Sequence, residues 1–390
     1  MIKEHQLLID ICKAYIYQSK IELPEGIDYK ALYDISKSHN LGALVYSVIK
    51  DCDEFKKNTE IKQLFENVFY ESIYRYQTQT EVINLLSSLL SESKIRHVFF
   101  KGAQIKELYP LPPVRAMGDI DVLIDNENRD RVKQILCENG FVNKNCNGPV
   151  YDYTYNGVLV EMHTKIISGK VGTSTASDGF ADAINNAKFD GYCGYLDDDY
   201  HFAYLLTHVA HHFWFYGAGV KMIVDLAVLL KNSNINLNNA LSKMNEIGLY
   251  DFSKVILTVC YKWFGIGQAY LDDVVKTEIF LLSFGAFGNV NRNKAAVIQR
   301  KELEEGKKNS PVMTRLRLLF PPYEKLKDIP YIKFIEGRPW LTGYAWIYRI
   351  IYNLNKRKEF LKNSTASIGS DKTNKAAQYE LEYFEEIGLL

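Results

Sequence analysis

The run Arg115-Ala116-Met117-Gly118-Asp119-Ile120-Asp121-Val122-Leu123-Ile124 sets two carboxylates one residue apart inside an apolar, β-type stretch. On a strand, side chains two apart share a face, so Asp119 and Asp121 point together while Ile120, Val122 and Ile124 point into a core. Like charges held this close raise one another's proton affinity, and a fold accepts them readily only if something positive lies between them. A hard cation such as Mg²⁺ meets that need, because it takes oxygen ligands and is commonly held by one or two carboxylates plus substrate phosphates. Asp-x-Asp is short, and by itself it also describes a solvated strand end. Its surroundings weigh against that bland reading.

Upstream, Ile95-Arg96-His97-Val98-Phe99-Phe100 reads as a strand running into Lys101-Gly102-Ala103, after which Gln104 to Leu108 opens a helix. A strand ending in a small-residue turn at a helix start offers free backbone N–H groups to a phosphate. Downstream, Tyr151 to Tyr155 and Val158 to His163 read as strands joined by an Asn156-Gly157 hairpin turn. Alternation puts Leu159, Glu161 and His163 on one face, so Glu161 can join the two aspartates from a neighbouring strand. A Glu within a hydrophobic strand is costly unless paired or metal-bound; a surface position on an edge strand is the alternative. Lys101 and Arg115 bracket the turn and complement a triphosphate, the lysine as a point charge and the arginine as a fork. Pairing of Arg115 with one of the aspartates is the competing reading.

A Gly-Ala turn after a strand, Asp-x-Asp on the next strand and a lone acid on a later one resemble the nucleotidyltransferase superfamily with the DNA polymerase beta-like palm. More narrowly, Phe100-Lys101-Gly102, Tyr109-Pro110, Pro113, Arg115, Gly118-Asp119-Ile120-Asp121-Val122-Leu123-Ile124 and Val160-Glu161-Met162-His163 are similar to the bacterial family of uncharacterised nucleotidyltransferases. The stretch Leu41 to Ile49 after Ser38-His39-Asn40, the stretch His208 to Asp225, and Arg317-Leu318-Leu319-Phe320-Pro321-Pro322 extend the resemblance over most of the chain.

The resemblance implies an α+β fold, in which a nucleotidyltransferase palm, a small mixed sheet with flanking helices, lies between an N-terminal helical region and a larger C-terminal one. It implies transfer of a nucleoside monophosphate from a nucleoside triphosphate to an acceptor hydroxyl by two-metal chemistry, with Mg²⁺, or Mn²⁺ in its place. In that scheme Asp119, Asp121 and Glu161 are catalytic and metal-binding residues. The aspartates hold the ion on the triphosphate, and Asp121 with Glu161 serves a second ion that activates the acceptor, or Glu161 acts as base. Lys101, Gly102, Ala103, Arg115 and Gly118 line the nucleotide. Two features depart from the superfamily: Gly102-Ala103 lacks the hydroxyl of a Gly-Ser turn, and the gap to Asp119 is long, filled by Tyr109-Pro110-Leu111-Pro112-Pro113 as an extended, rigid loop. The first departure leaves a non-catalytic nucleotide-binding regulator as an alternative, and a toxin-like nucleotidyltransferase acting on a cellular target is another.

Basic and acidic residues balance at 47 each, so no global electrostatic footprint for nucleic acid exists and an RNA acceptor is disfavoured against a small molecule or a peptide. A protein partner stays open. The six cysteines are scattered without a Cys-x-x-Cys pair, which fits reduced thiols. No run reaches the ~18 apolar residues of a membrane span, so a cytoplasmic location is expected. Organisation along the chain reads as helices over 1–94, the palm over 95–197 with an exposed insertion or lid at about 168–186, a helical domain over 198–362, and a flexible linker with a terminal helix over 363–390.

His208, His211 and His212 share one helical face at i, i+3 and i+4, where packing against the palm is favoured over metal binding or acceptor contact. Asp225 is expected to be buried behind the site with Lys221 as partner. Arg315, Arg317 and Arg349 read as solvated surface, with basic contacts to substrate as the alternative.

Overall fold

The Asp-x-Asp strand forms at Asp119–Ile124 (β2) and lies near the middle of a seven-stranded mixed sheet. The computed structural model describes residues 2–286 except 147, 170 and 216, residues 319–356 except 328, and residues 371–390. The other strands are β1 (His97–Phe99), β3 (Val142–Asn145), β4 (Val150–Tyr155), β5 (Val158–His163), β6 (Ala187–Asp190) and β7 (Cys193–Leu196), in the spatial order β3-β4-β5-β2-β1-β7-β6. β2 runs parallel to β5 and antiparallel to β1, and β1 runs parallel to β7. The β4–β5 hairpin turns at Asn156 and Gly157, whose φ angles of 47° and 78° are the left-handed pair that a two-residue hairpin requires.

Thirteen helices surround this sheet within the described residues of the first unit: α1 (Lys3–Tyr17), α2 (Tyr29–Ser38), α3 (Gly42–Ile49), α4 (Asp53–Lys56), α5 (Thr59–Glu92), α6 (Gly102–Ile105), α7 (Arg129–Glu138), α8 (Ala176–Gly179), α9 (Asp198–Phe215), α10 (Val220–Asn232), α11 (Leu237–Glu246), α12 (Tyr250–Phe264) and α13 (Val275–Ser283). One sheet face is apolar. There Ile120, Val122 and Ile124 of β2 and Val158, Val160 and Met162 of β5 pack with Val82, Leu86 and Leu90 of α5 and Val132 and Leu136 of α7. Each such side chain contributes about 1.5–3 kcal/mol on burial, and a one-residue slip of β2 would turn all three of its apolar residues outward, so the register is fixed. Fixing it forces Asp119 and Asp121 onto the opposite face, where α9 supplies Tyr204 against Phe100, ring centroids 5.5 Å apart.

Two local expectations differ from the structure. The helix after Lys101 begins at Gly102, two residues early, and continues as a 3-10 turn over Lys106–Leu108. The proline loop is not simply extended: Pro112–Val114 forms a 3-10 turn, for which proline's fixed φ suits the first position. Tyr15 of α1 pins this loop, accepting from the Leu111 N–H at 2.9 Å, and Ser72 of α5 donates to the Pro113 carbonyl. The segment 168–186 is not an exposed insertion either, since it buries Val171, Ala176, Phe180 and Ala183. Its glycines let it approach other elements closely, Gly172 against Leu389 and Gly179 against Ile247.

The chain divides into two compact units, Met1–Asn289 with Gly388–Leu390, and Val290–Ile387. The second has its own apolar cluster of Leu326, Ile332, Ile335 and Ala345, beneath the helix Thr342–Lys356. A helix also spans Asp371–Glu386, taking in part of the polar stretch read as a linker. Arg315 and Arg317 lie outside the described residues, whereas Arg349 donates to the Leu319 carbonyl at 3.4 Å. No helix among the described residues is long and apolar enough to cross a membrane.

Candidate active site

Parallel pairing of β2 with β5 sets Asp121 opposite Glu161 and Asp119 opposite Leu159, so all three acids share the face away from α5. Asp121 is 2% exposed and fully engaged: one of its oxygens takes Lys101 Nζ at 2.7 Å and His163 Nε2 at 2.9 Å. Burial pushes the Asp121 carboxyl up, but Lys101 and His163 outweigh it and hold the group at about 2. Asp119 has no such partner. Burial and the Asp121 charge push it up to about 6, against only partial relief from Lys101. The aspartates that sequence presents as an equivalent repelling pair are therefore unequal.

His163 also reaches Glu161, Nε2 to Oε2 3.3 Å, and burial lowers its proton affinity less than these two carboxylate bonds raise it. Ligand atoms of Asp121, Glu161 and His163 all lie within 4.8 Å of one another, close enough to share a cation. His163 is a site residue that motif spacing does not single out, although alternation puts it on the face of Glu161.

Lys101 joins β1 to α6 with φ 50° and ψ −124°, a left-handed conformation that favours glycine and costs a side-chain-bearing residue on the order of 1–3 kcal/mol. Two bonds hold it there: its N–H donates to His201 Nε2 at 3.1 Å, and its ammonium meets Asp121. His201 accepts because burial keeps it neutral, its pKa down at about 3. At Gly102 a Cβ would lie 2.5 Å from Arg115 Nη1 and 2.7 Å from Met117 Sδ, so only glycine permits this close approach. Ala103 beside it is buried, while Gly118 has open space around it.

Arg115 does not pair with Asp119 or Asp121. Its guanidinium forks onto Asp225 of α10, both bonds 3.0 Å, and Tyr109 Oη and Lys221 Nζ donate to the same carboxylate at 2.6 and 3.1 Å. Asp225 thus sits behind the site with Lys221, as expected, and two further donors that sequence did not reveal. On α9 the His208 ring lies 6.0 Å from the Tyr204 ring and 4.6 Å from that of His212, centroid to centroid. Burial depresses His208, as well as His211 to about 4 and His212 to about 3, which keeps them neutral.

The acids on adjacent parallel strands thus lie beside a strained lysine–glycine turn. The family model described as uncharacterised nucleotidyltransferase matches residues 25–265. The chain belongs to this nucleotidyltransferase family. No curated protein and no solved structure matches it. The match covers the whole sheet and α9, so the carboxylate face lies within the nucleotidyltransferase part, whereas the resemblance read at Arg317 to Pro322 falls beyond it.

Proposed function

We propose that this nucleotidyltransferase moves a nucleoside monophosphate from a nucleoside triphosphate onto an acceptor hydroxyl, using divalent ions held by Asp119, Asp121 and Glu161. The observation that carries the reading is the gathering of three carboxylates on one sheet face beside Lys101 and His163, with Asp119 pushed up to about 6 by burial and by the Asp121 charge. Oxygen donors in that arrangement fit Mg²⁺, with Mn²⁺ as substitute. When bound, such ions neutralise phosphate charge and make a hydroxyl easier to deprotonate.

The residues do the rest by positioning. The acceptor oxygen forms its bond to the α-phosphorus as the bond to the bridging oxygen breaks; pyrophosphate leaves, and Glu161 receives the hydroxyl proton. Lys101, already aimed across the acids, is the cation next to the phosphates, and the strained turn holds the backbone of Gly102 and Ala103 toward them. Arg115 contributes through Nη1, the nitrogen not committed to Asp225, and Gly118 leaves room beside Asp119. His163 orients Asp121 and Glu161 through its two bonds.

A second reading, nucleotide binding without turnover, draws on the fact that Lys101 and His163 already occupy one Asp121 oxygen. One experiment separates the two. With a triphosphate labelled at the α-phosphate, Mg²⁺ and cell extract, the wild type should release pyrophosphate and leave label on an acceptor, and Asp121→Asn should not. Mg²⁺ and the triphosphate together should raise Tm by more than the sum of their separate shifts, because the ion bridges acids and phosphates. Cooperative binding without label transfer favours the second reading, and merely additive shifts overturn both.

A further inference from the structure

Behind the Arg115–Gly118 loop, α5, the α2–α3 corner and Lys106 enclose a largely apolar cavity of about 240 Å³. Four cations line it, Lys37, Arg75, Lys106 and Arg115, against a single carboxylate, Glu71. Most of these charges are spoken for: Arg115 is forked onto Asp225, and Glu71 accepts from Arg75 Nε at 3.1 Å. Lys37 lies at the exposed rim, which leaves Lys106 as the cation inside.

Lys106 is 5% exposed, yet its neighbours compensate it poorly. Its ammonium donates to Thr80 Oγ1 at 3.1 Å and stands 4.8 Å from the Tyr76 ring centroid. The nearest carboxylate, Glu107, is 3.8 Å away, 55% exposed, and already accepts from Tyr76 Oη at 3.1 Å. An ammonium carries three N–H donors, and a buried charge without a good partner is costly. Burial lowers its proton affinity, and the charge and hydrogen bond of Glu107 offset this in part, against Arg115. An anion entering the cavity would supply a closer partner than Glu107. Gly118, the residue before Asp119, also lines the cavity, and a Cβ there would meet nothing within 4 Å.

We propose that this cavity seats the acceptor: a small organic molecule with an apolar body and one carboxylate or phosphate group bound by Lys106, its hydroxyl passing Gly118 toward the carboxylate face, where Glu161 takes its proton. The proposal rests on the nucleotidyl-transfer reading. Pockets for drug-sized ligands run roughly 300–1,000 Å³, so the occupant is smaller than those, and a folded RNA or protein acceptor does not fit inside.

Phenyl phosphate, benzoate and neutral benzyl alcohol are the probes, titrated calorimetrically into the full chain in EDTA, where the acids hold no Mg²⁺. Binding of either anion and not of the alcohol is expected, and the stronger of the two identifies the anionic group. Lys106→Met should weaken it by about tenfold or more, and Lys106→Arg should retain it. Ala43→Leu, which fills the cavity without altering a charge, should weaken it as well and keeps the test valid if Lys106→Met fails to fold. Absence of anion binding, or equal binding by Lys106→Met, overturns the proposal. Weaker Mg²⁺–triphosphate binding by Lys106→Met makes the cavity a nucleotide subsite and also overturns it. If the wild type binds Mg²⁺–triphosphate but no anion, only this inference fails. If it binds no triphosphate, the proposed function fails and the acceptor role goes with it.

Discussion

Two buried charge clusters lie within one fold, and they are built on opposite principles. Around Asp225, one carboxylate meets Arg115, Lys221 and Tyr109, and its pKa is driven far below the ordinary range, burial raising it and Arg115 and Lys221 overwhelming that effect. Around Asp119, acids outnumber their cations and the carboxyl is left at about 6. The first cluster is closed in that its one carboxylate is saturated by donors, and it ties α10 to the proline loop. The second is open and gains from anything positive that arrives. The number of donors that reach each carboxylate, more than its burial, separates the two clusters.

The sharpest way to break this comparison is to open the closed cluster. Asp225→Asn removes the only carboxylate shown bonded to Arg115 and Lys221, both buried, and stranding buried charge costs about 3–5 kcal/mol. Urea denaturation should show a loss of that size at neutral pH. A loss below about 1 kcal/mol would mean that the network is not structural.

The open cluster should respond in rate before it responds in stability. Glu161 is 26% exposed, with His163 as its near partner, so Glu161→Gln leaves the fold intact and the Asp121–Lys101 pair in place. Turnover should fall on the order of 10²-fold, the scale of removing a positioned base, while the triphosphate dissociation constant changes less than about tenfold. Equal damage to both quantities would move Glu161 into the nucleotide-bound ion's site.

The open cluster was also the more legible of the two in sequence, for a physical reason. Its geometry follows from period-two alternation and one Asn-Gly turn, which are local, so Asp119, Asp121 and Glu161 can be placed on one face from residues 119–161 alone. The closed cluster depends on Arg115 meeting Asp225 across a separation of 110 residues, and no local pattern encodes that pairing. The positive φ of Lys101 was hidden too, because glycine, not lysine, is the usual signal for it. Composition misled at 168–186, where the four buried apolar residues are diluted among small polar ones.

The smallest effect tests the inequality of the aspartates. The folded-state pKa of Asp119, about 6, lies above its ordinary value of 3.8, so the folded chain binds that proton more tightly than the unfolded chain does. Stability contributed by the protonated group is complete below the ordinary value and is lost as pH rises through about 6. Asp119→Asn removes the charge that causes the loss. In EDTA the variant should therefore match the wild type near pH 4 and exceed it by about 1–2 kcal/mol at neutral pH, after allowing for water that reaches this half-buried group. Asp121→Asn should do the reverse and destabilise, because it strands Lys101. Adding Mg²⁺ should raise wild-type stability at neutral pH and leave Asp119→Asn nearly unchanged. If both variants gain equally in EDTA, the aspartates are an equivalent repelling pair after all; if neither gains, the open cluster is balanced by a partner other than a metal ion.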